Sequence, residues 1–244
     1  MNYLYDNSFE GLLTCVYRHY YEERAEGIFP ADSYHQLDML RYAMTVETDK
    51  GLSARVKRAI EEKMSKWDAD RAYRVFCTNE PEKEMKILRY LELGFKSGSK
   101  IRLLHGNPVV KAVEETEQRL GREVHRLTGL VRFSELEGGI LYSPITPDND
   151  VLEFLAPHFS DRYRCDPFII HDKIRSKALF AFDKKWRIEA LDSDILNISE
   201  KEKDCRRLWK QYFEVMATKE RVNPGLQRQF VPVRYRKHLP EFDE

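Results

Sequence analysis

Four polar side chains in the second half of the chain are of the types that carry acid–base chemistry: His158, Arg162, His171 and Asp172. The first two are four residues apart, so on a helix they share one face. The other two directly follow the apolar residues 168–170, which are typical of a strand. An imidazole near a carboxylate can act as a general acid or base. These four residues are therefore the candidate catalytic site.

The same four side chains also fit a purely structural network, because buried polar groups must be hydrogen-bonded in any fold. Two histidines and an aspartate could bind a metal, but no HxxxH or HxH spacing occurs. The cysteines are far apart, at positions 15, 77, 165 and 205. No GxSxG, Walker A or Rossmann glycine pattern occurs either. The sequence thus predicts no metal and no cofactor, and leaves the catalytic and structural interpretations open.

Positive charge is concentrated near the C-terminus, between residues 206 and 238, where the acids are Glu214 and Glu220. Aromatic residues are interleaved with the basic ones, and together they can neutralise phosphates and stack on exposed bases. The alternative is a solvated basic face that packs against acidic parts of the same chain. The residues predicted to contact nucleic acid are Arg206, Arg207, Lys210, Arg221, Arg228, Arg234, Arg236 and Lys237.

Charge over the whole chain says nothing about partners, because 41 basic and 41 acidic residues cancel. The apolar stretches are too short to span a bilayer, so no membrane association is expected. The first residues do not form a basic stretch followed by an apolar block. We therefore expect a cytoplasmic protein with reduced thiols.

The elements that must position these residues follow from hydrophobic periodicity and turn residues. Asn7 and Glu10 resemble a capping box for the first helix, which favours capping over a catalytic role for Asp6 and Glu10. Asp148 or Asn149 is the predicted cap of a later helix. Helices are predicted at about 8–24, in pieces over 52–93, at 109–120, 149–163 and 200–216, and strands at 2–6, 43–48, 130–136, 139–145, 167–171, 177–182 and 186–191.

This order of elements predicts an α+β fold, with a helical N-terminal half packed on a mixed, largely antiparallel sheet. We expect one domain over residues 1–244. It would have a helix-rich part at about 7–126, an α/β part at about 127–217 and a basic C-terminal tail. Whether the first two strands join the later ones in a single sheet is left open.

Several stretches together resemble one family of bacterial proteins. They are YLYDNSFEGLL at 3–13, RF at 132–133 with GILY at 139–142, APHFSDRY at 156–163, IHD at 170–172 with Arg175, and RVNP at 221–224. The ordered set is more specific than any single motif. Asn7 stands where the family often has Gly, and Phe168 where Trp is common. The family carries a domain of unknown function and is described as DNA-metabolism or DNA-repair proteins.

The resemblance implies DNA and a radical SAM protein as partners. Members are similar to segments fused to uracil-DNA-glycosylase-like domains, and stand-alone members occur beside a radical SAM protein. This sequence shows neither the glycosylase segments nor the radical SAM cysteine triplet, so it resembles the companion of those enzymes. The first hypothesis is a nucleic-acid-binding accessory. The alternatives are an enzyme acting on damaged or modified nucleic acid through the His/Asp site, and a structural adaptor between proteins.

Overall fold

A computed structural model describes residues 1–34, 42–192, 199–216 and 223–242. The chain divides into two compact units, Met1–Leu120 and Gly121–Glu244. Each unit has its own sheet and helices, and the α+β prediction is confirmed. The early strands do not pair with the later ones, which resolves the alternative that was left open. The expectation of a single domain stays a prediction.

The first unit combines a small parallel sheet with several helices. In the sheet, β1 lies between β2 and β3 and pairs parallel with both. Parallel neighbours need a crossover, and the helix α1 supplies the one between β1 and β2. The elements are β1 (Asn2–Tyr5), α1 (Phe9–Tyr21), β2 (Gly27–Pro30), β3 (Ala43–Thr45), α2 (Lys50–Lys63), α3 (Lys66–Phe76), α4 (Lys83–Ser97) and α5 (Pro108–Leu130), which continues past the unit boundary.

The turn from β1 into α1 differs from the predicted one. Ser8, not Asn7, is the N-cap residue, since its Oγ accepts a hydrogen bond from the Gly11 backbone N–H at 2.9 Å. Asn7 adopts a left-handed backbone conformation with φ of 57°. Asp6 accepts hydrogen bonds from Ser8 and from the Thr48 hydroxyl. Burial would raise the pKa of Asp6, but these bonds outweigh it and hold the pKa below its ordinary value.

The helix α5 is longer than predicted, because Gly121 does not end it. The buried residues Val113, Leu120 and Leu127 are seven apart, so one apolar stripe continues past the glycine. A side chain at Gly121 would meet nothing within 4 Å, so this position lies outside the stripe. A glycine inside a helix costs only about 1 kcal/mol, which burial of the stripe readily offsets.

The second unit contains a five-stranded sheet in the order β4-β5-β6-β7-β8. β5 and β6 pair parallel, with the helix α6 as their crossover, and the pairs β4–β5, β6–β7 and β7–β8 are antiparallel. The elements are β4 (Ser134–Glu135), β5 (Leu141–Ile145), α6 (Leu152–Arg162), β6 (Phe168–Asp172), β7 (Lys177–Phe182), β8 (Lys185–Ala190), α7 (Glu200–Met216), α8 (Pro224–Phe230) and α9 (Val233–Arg236).

The central strand β6 presents different side chains to the two faces of this sheet. Phe168 meets Phe159 of α6, with ring centroids 6.5 Å apart. Because side chains alternate along a strand, Asp172 points to the same face as Phe168, and His171 points to the opposite face. There His171 meets Tyr142 of β5. This alternation decides which of the predicted site residues can act together.

Candidate functional site

His171 is buried within β6, and both of its ring nitrogens have partners. Nδ1 lies 2.8 Å from the Tyr142 hydroxyl, and Nε2 lies 3.0 Å from the Leu191 carbonyl oxygen. Since a carbonyl only accepts, Nε2 carries the proton and Nδ1 accepts from Tyr142. Burial lowers the pKa of His171, and the nearby charge of Lys173 lowers it further. The neutral ring therefore links β5, β6 and the residue that follows β8.

Asp172 is fully buried, and its partner is Arg175 in the turn between β6 and β7. Asp172 Oδ2 accepts from the Arg175 guanidinium at 3.0 Å, and Oδ1 accepts from the Ile174 backbone N–H at 2.9 Å. The same guanidinium donates to the carbonyl oxygens of Pro147 and Asp148. The pair thus fixes this turn against the segment that precedes α6.

His158 and Arg162 lie on α6, and both side chains are exposed. The Arg162 guanidinium lies 5.8 Å from the centre of the Tyr163 ring, and the His158 ring lies edge-on to Phe159. The helix packs on the face of β6 that carries Phe168, whereas His171 points to the other face. The structure therefore does not bring His158 together with His171, and the four predicted residues do not converge on one pocket.

The lowered pKa of His171 predicts that stability decreases in mild acid. The unfolded histidine takes up a proton near pH 6.5, and the folded one only at lower pH. Between these values the unfolded state binds more protons, so the free energy of unfolding falls as the pH falls. We expect urea denaturation from pH 7 down to pH 5 to show this fall in the natural protein and a flatter profile in His171→Gln. The exposed control, His158→Gln, should keep the natural profile, and identical profiles for His171→Gln and the natural protein would contradict the assignment.

A buried glutamate of α5, Glu123, organises the C-terminal part of the second unit. Its Oε1 accepts from the Tyr235 hydroxyl at 2.6 Å and from the Asp148 backbone N–H at 2.8 Å. Its Oε2 accepts from the backbone N–H of Asn149 at 3.0 Å and from the side-chain amide of Asn149. Asp148 and Asn149 therefore bind Glu123 rather than cap α6, whose N-cap is Val151.

Sequence reasoning missed Glu123, although a signal for it was present. The residue lies three positions after Leu120 and four before Leu127, so a carboxylate interrupts the apolar stripe of α5. An acid at such a position needs buried donors. Tyr235 supplies one of them, and burial together with this hydrogen bond raises the pKa of its hydroxyl to about 12.

The C-terminal segment, defined as residues 206–238, begins on α7. Arg206 is half-buried, and it pairs with Glu202 at 3.1 Å and donates to the Ser134 hydroxyl of β4. Arg207 is exposed and pairs with Asp204 at 3.0 Å. The side chain of Lys210 and the whole of Arg221 lie outside the described residues.

The remaining predicted nucleic-acid contacts lie on α8, on α9 and just beyond. Arg228 and Lys237 are exposed. Arg234 pairs with Asp148 at 2.7 Å. Arg236 is half-buried and donates to the Val231 carbonyl oxygen, and its Nη2 is buried without a partner among the described residues. Part of the basic charge is thus held in contacts within the second unit, while Arg228 and Lys237 face solvent.

Aromatic and aliphatic side chains of the C-terminal segment are also exposed. Trp209 and Tyr212 stack with ring centroids 5.8 Å apart, and the Trp209 indole N–H donates to Glu241 at 3.3 Å. Tyr212 is 56% exposed and Phe230 is 64% exposed. Among the described side chains, Leu208, Leu226 and Val233 are exposed aliphatic residues. Single exposed apolar residues are ordinary, and those of this segment are candidates for a binding surface.

The sheet offers a second surface that also carries aromatic and basic side chains. A shallow groove of about 440 Å³ runs along β6, β7 and β8, and its lining includes Phe180, Phe182, Lys185 and Arg187. Within the described residues, no group of three His, Cys, Asp or Glu side chains could hold a metal ion. In the same part of the chain, no helix is long and apolar enough to cross a membrane. The cations and aromatic rings of this groove and of the C-terminal segment can contact phosphates and nucleic-acid bases.

Comparison with known proteins identifies one related family. A family model described as a domain of unknown function, DUF4130, matches residues 81–241. The match takes in α4 and the elements that follow it, and it includes the whole C-terminal segment. No curated protein matches the chain at a significant level.

Proposed function

Since this chain belongs to the DUF4130 family, whose domain has no assigned function, we propose a function from its own residues: it binds nucleic acid through the C-terminal segment. In this proposal it is a DNA-repair or DNA-metabolism protein that acts as an accessory to a radical SAM protein. The observation that carries the proposal is the exposure of cations and aromatic rings within one short segment. Arg228 and Lys237 face solvent there, as do Tyr212 and Phe230.

The charge of the segment favours a polyanion as its ligand. Solvent-exposed Lys and Arg gain binding free energy mainly by releasing the counterions condensed on phosphates. Arg206 and Arg234 already pair with acids of the chain, so they are the weaker candidates for direct contact. We assign the phosphate contacts principally to Arg228 and Lys237.

The aromatic rings extend the proposal to unpaired bases. Every base has a π face that can stack on an exposed ring, whereas a base inside a duplex has both faces covered. Tyr212 and Phe230 are mostly exposed and therefore accessible for such stacking. We therefore propose that a single strand binds more tightly than the corresponding duplex.

Fluorescence anisotropy with labelled single-stranded and duplex DNA over a salt series tests the proposal. For the double variant Arg228→Ala/Lys237→Ala, the slope of log K against log salt should become shallower by about 1.4, because each phosphate contact with a single strand contributes about 0.7. The matched control, Lys100→Ala/Lys111→Ala, removes two exposed cations from the first unit and should leave the slope unchanged.

An unchanged slope in Arg228→Ala/Lys237→Ala would refute binding through these residues. In that case, persistent co-purification with the radical SAM protein would favour the second candidate function, a protein adaptor. The exposed Leu208, Leu226 and Val233 support this second candidate, because apolar side chains dock proteins rather than phosphates. Catalysis through His158 and His171 has no comparable support. His158 is exposed on α6, whereas His171 is buried on the face of β6 that points away from this helix.

A further inference from the structure

We infer that the first unit carries a second binding site, a groove between α1, α2 and α4 that takes one nucleotide, with its base against tyrosine rings and its phosphate at Arg55 and Lys63. The groove has a volume of about 290 Å³. The inference concerns none of the residues of the C-terminal segment, so it stands or falls independently of the proposed function.

Aromatic rings from two helices form the walls of this groove. Tyr17 and Tyr21 of α1 stack with ring centroids 4.5 Å apart. Tyr20 lies edge-on to Phe95 of α4 at 5.7 Å. Tyr21 is 68% exposed and Tyr20 is 45% exposed, although both are large aromatic side chains. Rigid rings that remain exposed beside a cavity offer faces on which a planar ligand can stack.

Two cations of α2 lie at the rim of the groove. The Arg55 guanidinium carbon is 5.5 Å from the centre of the Tyr17 ring, and the Lys63 Nζ is 5.7 Å from the centre of the Phe95 ring. Within the described ranges neither cation forms an ion pair with a carboxylate. Arg55 Nη1 donates to the Tyr17 hydroxyl at 3.4 Å, whereas its other N–H groups and the Lys63 ammonium have no hydrogen-bond partner among the described residues. These groups can donate to an anion, and an Arg guanidinium suits the geometry of phosphate.

The composition of the groove selects the class of ligand. Its floor, formed by Val16, Val56 and Ala59, is apolar, and none of its described lining residues is acidic. Cations at the rim disfavour a cationic ligand, and aromatic walls favour a planar ring over an aliphatic chain. Ligand pockets usually have volumes of about 300–1,000 Å³, so this groove suits one base rather than a longer stretch of strand.

The Tyr20 hydroxyl in the wall of the groove carries no charge that would repel an anion. Burial raises the pKa of Tyr20 to about 12, and the charge of Glu92 acts in the same direction. The hydroxyl of Tyr20 is therefore neutral at physiological pH. No phenolate charge on this residue opposes a phosphate at the rim.

Isothermal titration of the full chain with thymidine 5′-monophosphate and adenosine 5′-monophosphate tests the inference. Tyr21→Ala removes a stacking face and should weaken binding about tenfold. Arg55→Gln removes a charge-assisted hydrogen bond and should also weaken binding about tenfold. Both side chains are exposed, and circular dichroism with urea denaturation verifies that the variants fold.

Two matched variants serve as controls. Tyr42→Ala removes a tyrosine of the first unit that is 83% exposed and lies outside the groove. Lys57→Gln removes a cation from α2 two positions after Arg55, on a different face of the helix. Both should bind the nucleotides as the natural protein does. Failure of the natural protein to bind either nucleotide overturns the inference, as does equal binding by Tyr21→Ala or equal affinity for thymidine without its phosphate.

The nucleotide can be a free monophosphate or one unpaired residue of a strand, and a competition experiment separates these sources. Oligothymidine is titrated into the Arg228→Ala/Lys237→Ala variant, so that the C-terminal segment contributes little to the measured affinity. If the oligomer displaces the monophosphate and loses affinity in Tyr21→Ala, the groove takes a residue of the strand. If only the monophosphate binds, it takes the free nucleotide.

Discussion

Replacing Glu123 by alanine is expected to lower the free energy of unfolding by about 3–5 kcal/mol. The substitution removes the carboxylate that accepts from the Tyr235 hydroxyl, from the backbone N–H groups of Asp148 and Asn149 and from the Asn149 side-chain amide. Loss of its acceptor costs the buried Tyr235 hydroxyl about 1–3 kcal/mol, and each of the three part-buried donors of Asp148 and Asn149 adds a smaller cost. Urea denaturation followed by circular dichroism measures the change.

Two further variants distinguish the loss of the hydrogen bonds to Glu123 from a general effect of charge removal on stability. Tyr235→Phe removes the hydrogen bond that Tyr235 accepts from the exposed Arg234 and the buried one that it donates to Glu123. Loss of the bond to Glu123 should cost only about 1 kcal/mol. In the Glu123→Ala background the same substitution should cost less, because the two residues share that bond. Glu137→Ala removes an exposed acid of the second unit and should change stability by no more than about 0.5 kcal/mol. A loss below about 1 kcal/mol for Glu123→Ala would contradict the role assigned to this residue.

The second large effect concerns the rings of the C-terminal segment. The double variant Tyr212→Ala/Phe230→Ala is expected to weaken binding of single-stranded DNA by about 2 kcal/mol or more, which is at least about thirtyfold, because stacking contributes about 1–3 kcal/mol per base. Duplex binding should change much less, since its bases are already stacked. Anisotropy titrations at one fixed salt concentration measure both affinities.

The control for this experiment retains both rings. Tyr212→Phe/Phe230→Tyr exchanges one hydroxyl between the two positions and should bind single-stranded DNA as the natural protein does. If the alanine variant loses single-strand and duplex affinity equally, the rings do not stack on unpaired bases. The aromatic part of the proposal would then be wrong, while the phosphate contacts would remain to be judged from the salt series.

Much of the second sheet could be predicted from the sequence, and part of the first could not. Strands β6 to β8 are apolar or alternating runs bounded by turn residues, and their predicted positions agree with the structure to within one residue at each end. β2 was missed because its four residues begin with Gly27 and end with Pro30, residues typical of loops. Its pairing with β1 depends on tertiary contacts that local propensity does not contain.

The candidate sites, too, could be predicted from the sequence only in part. The sequence places His171 and Asp172 at the end of a strand, as the structure does, but neighbours on a strand point to opposite faces, so the two cannot both join one cluster with His158. The tyrosine groove needs residues from three helices, and no spacing within the chain predicts that Arg55 and Phe95 line the same cavity. The C-terminal charge was visible in the sequence, whereas the pairing of Arg234 with Asp148 required the structure.

The most direct test of nucleic-acid binding is the salt dependence of single-stranded DNA affinity for the natural chain. We predict that log K falls linearly with log salt with a slope of about −1.4 or steeper, corresponding to two or more phosphate contacts. The slope should become shallower in Arg228→Ala/Lys237→Ala and stay the same in Lys100→Ala/Lys111→Ala. Affinity that does not change between about 50 and 200 mM salt would contradict binding of phosphates by the C-terminal segment.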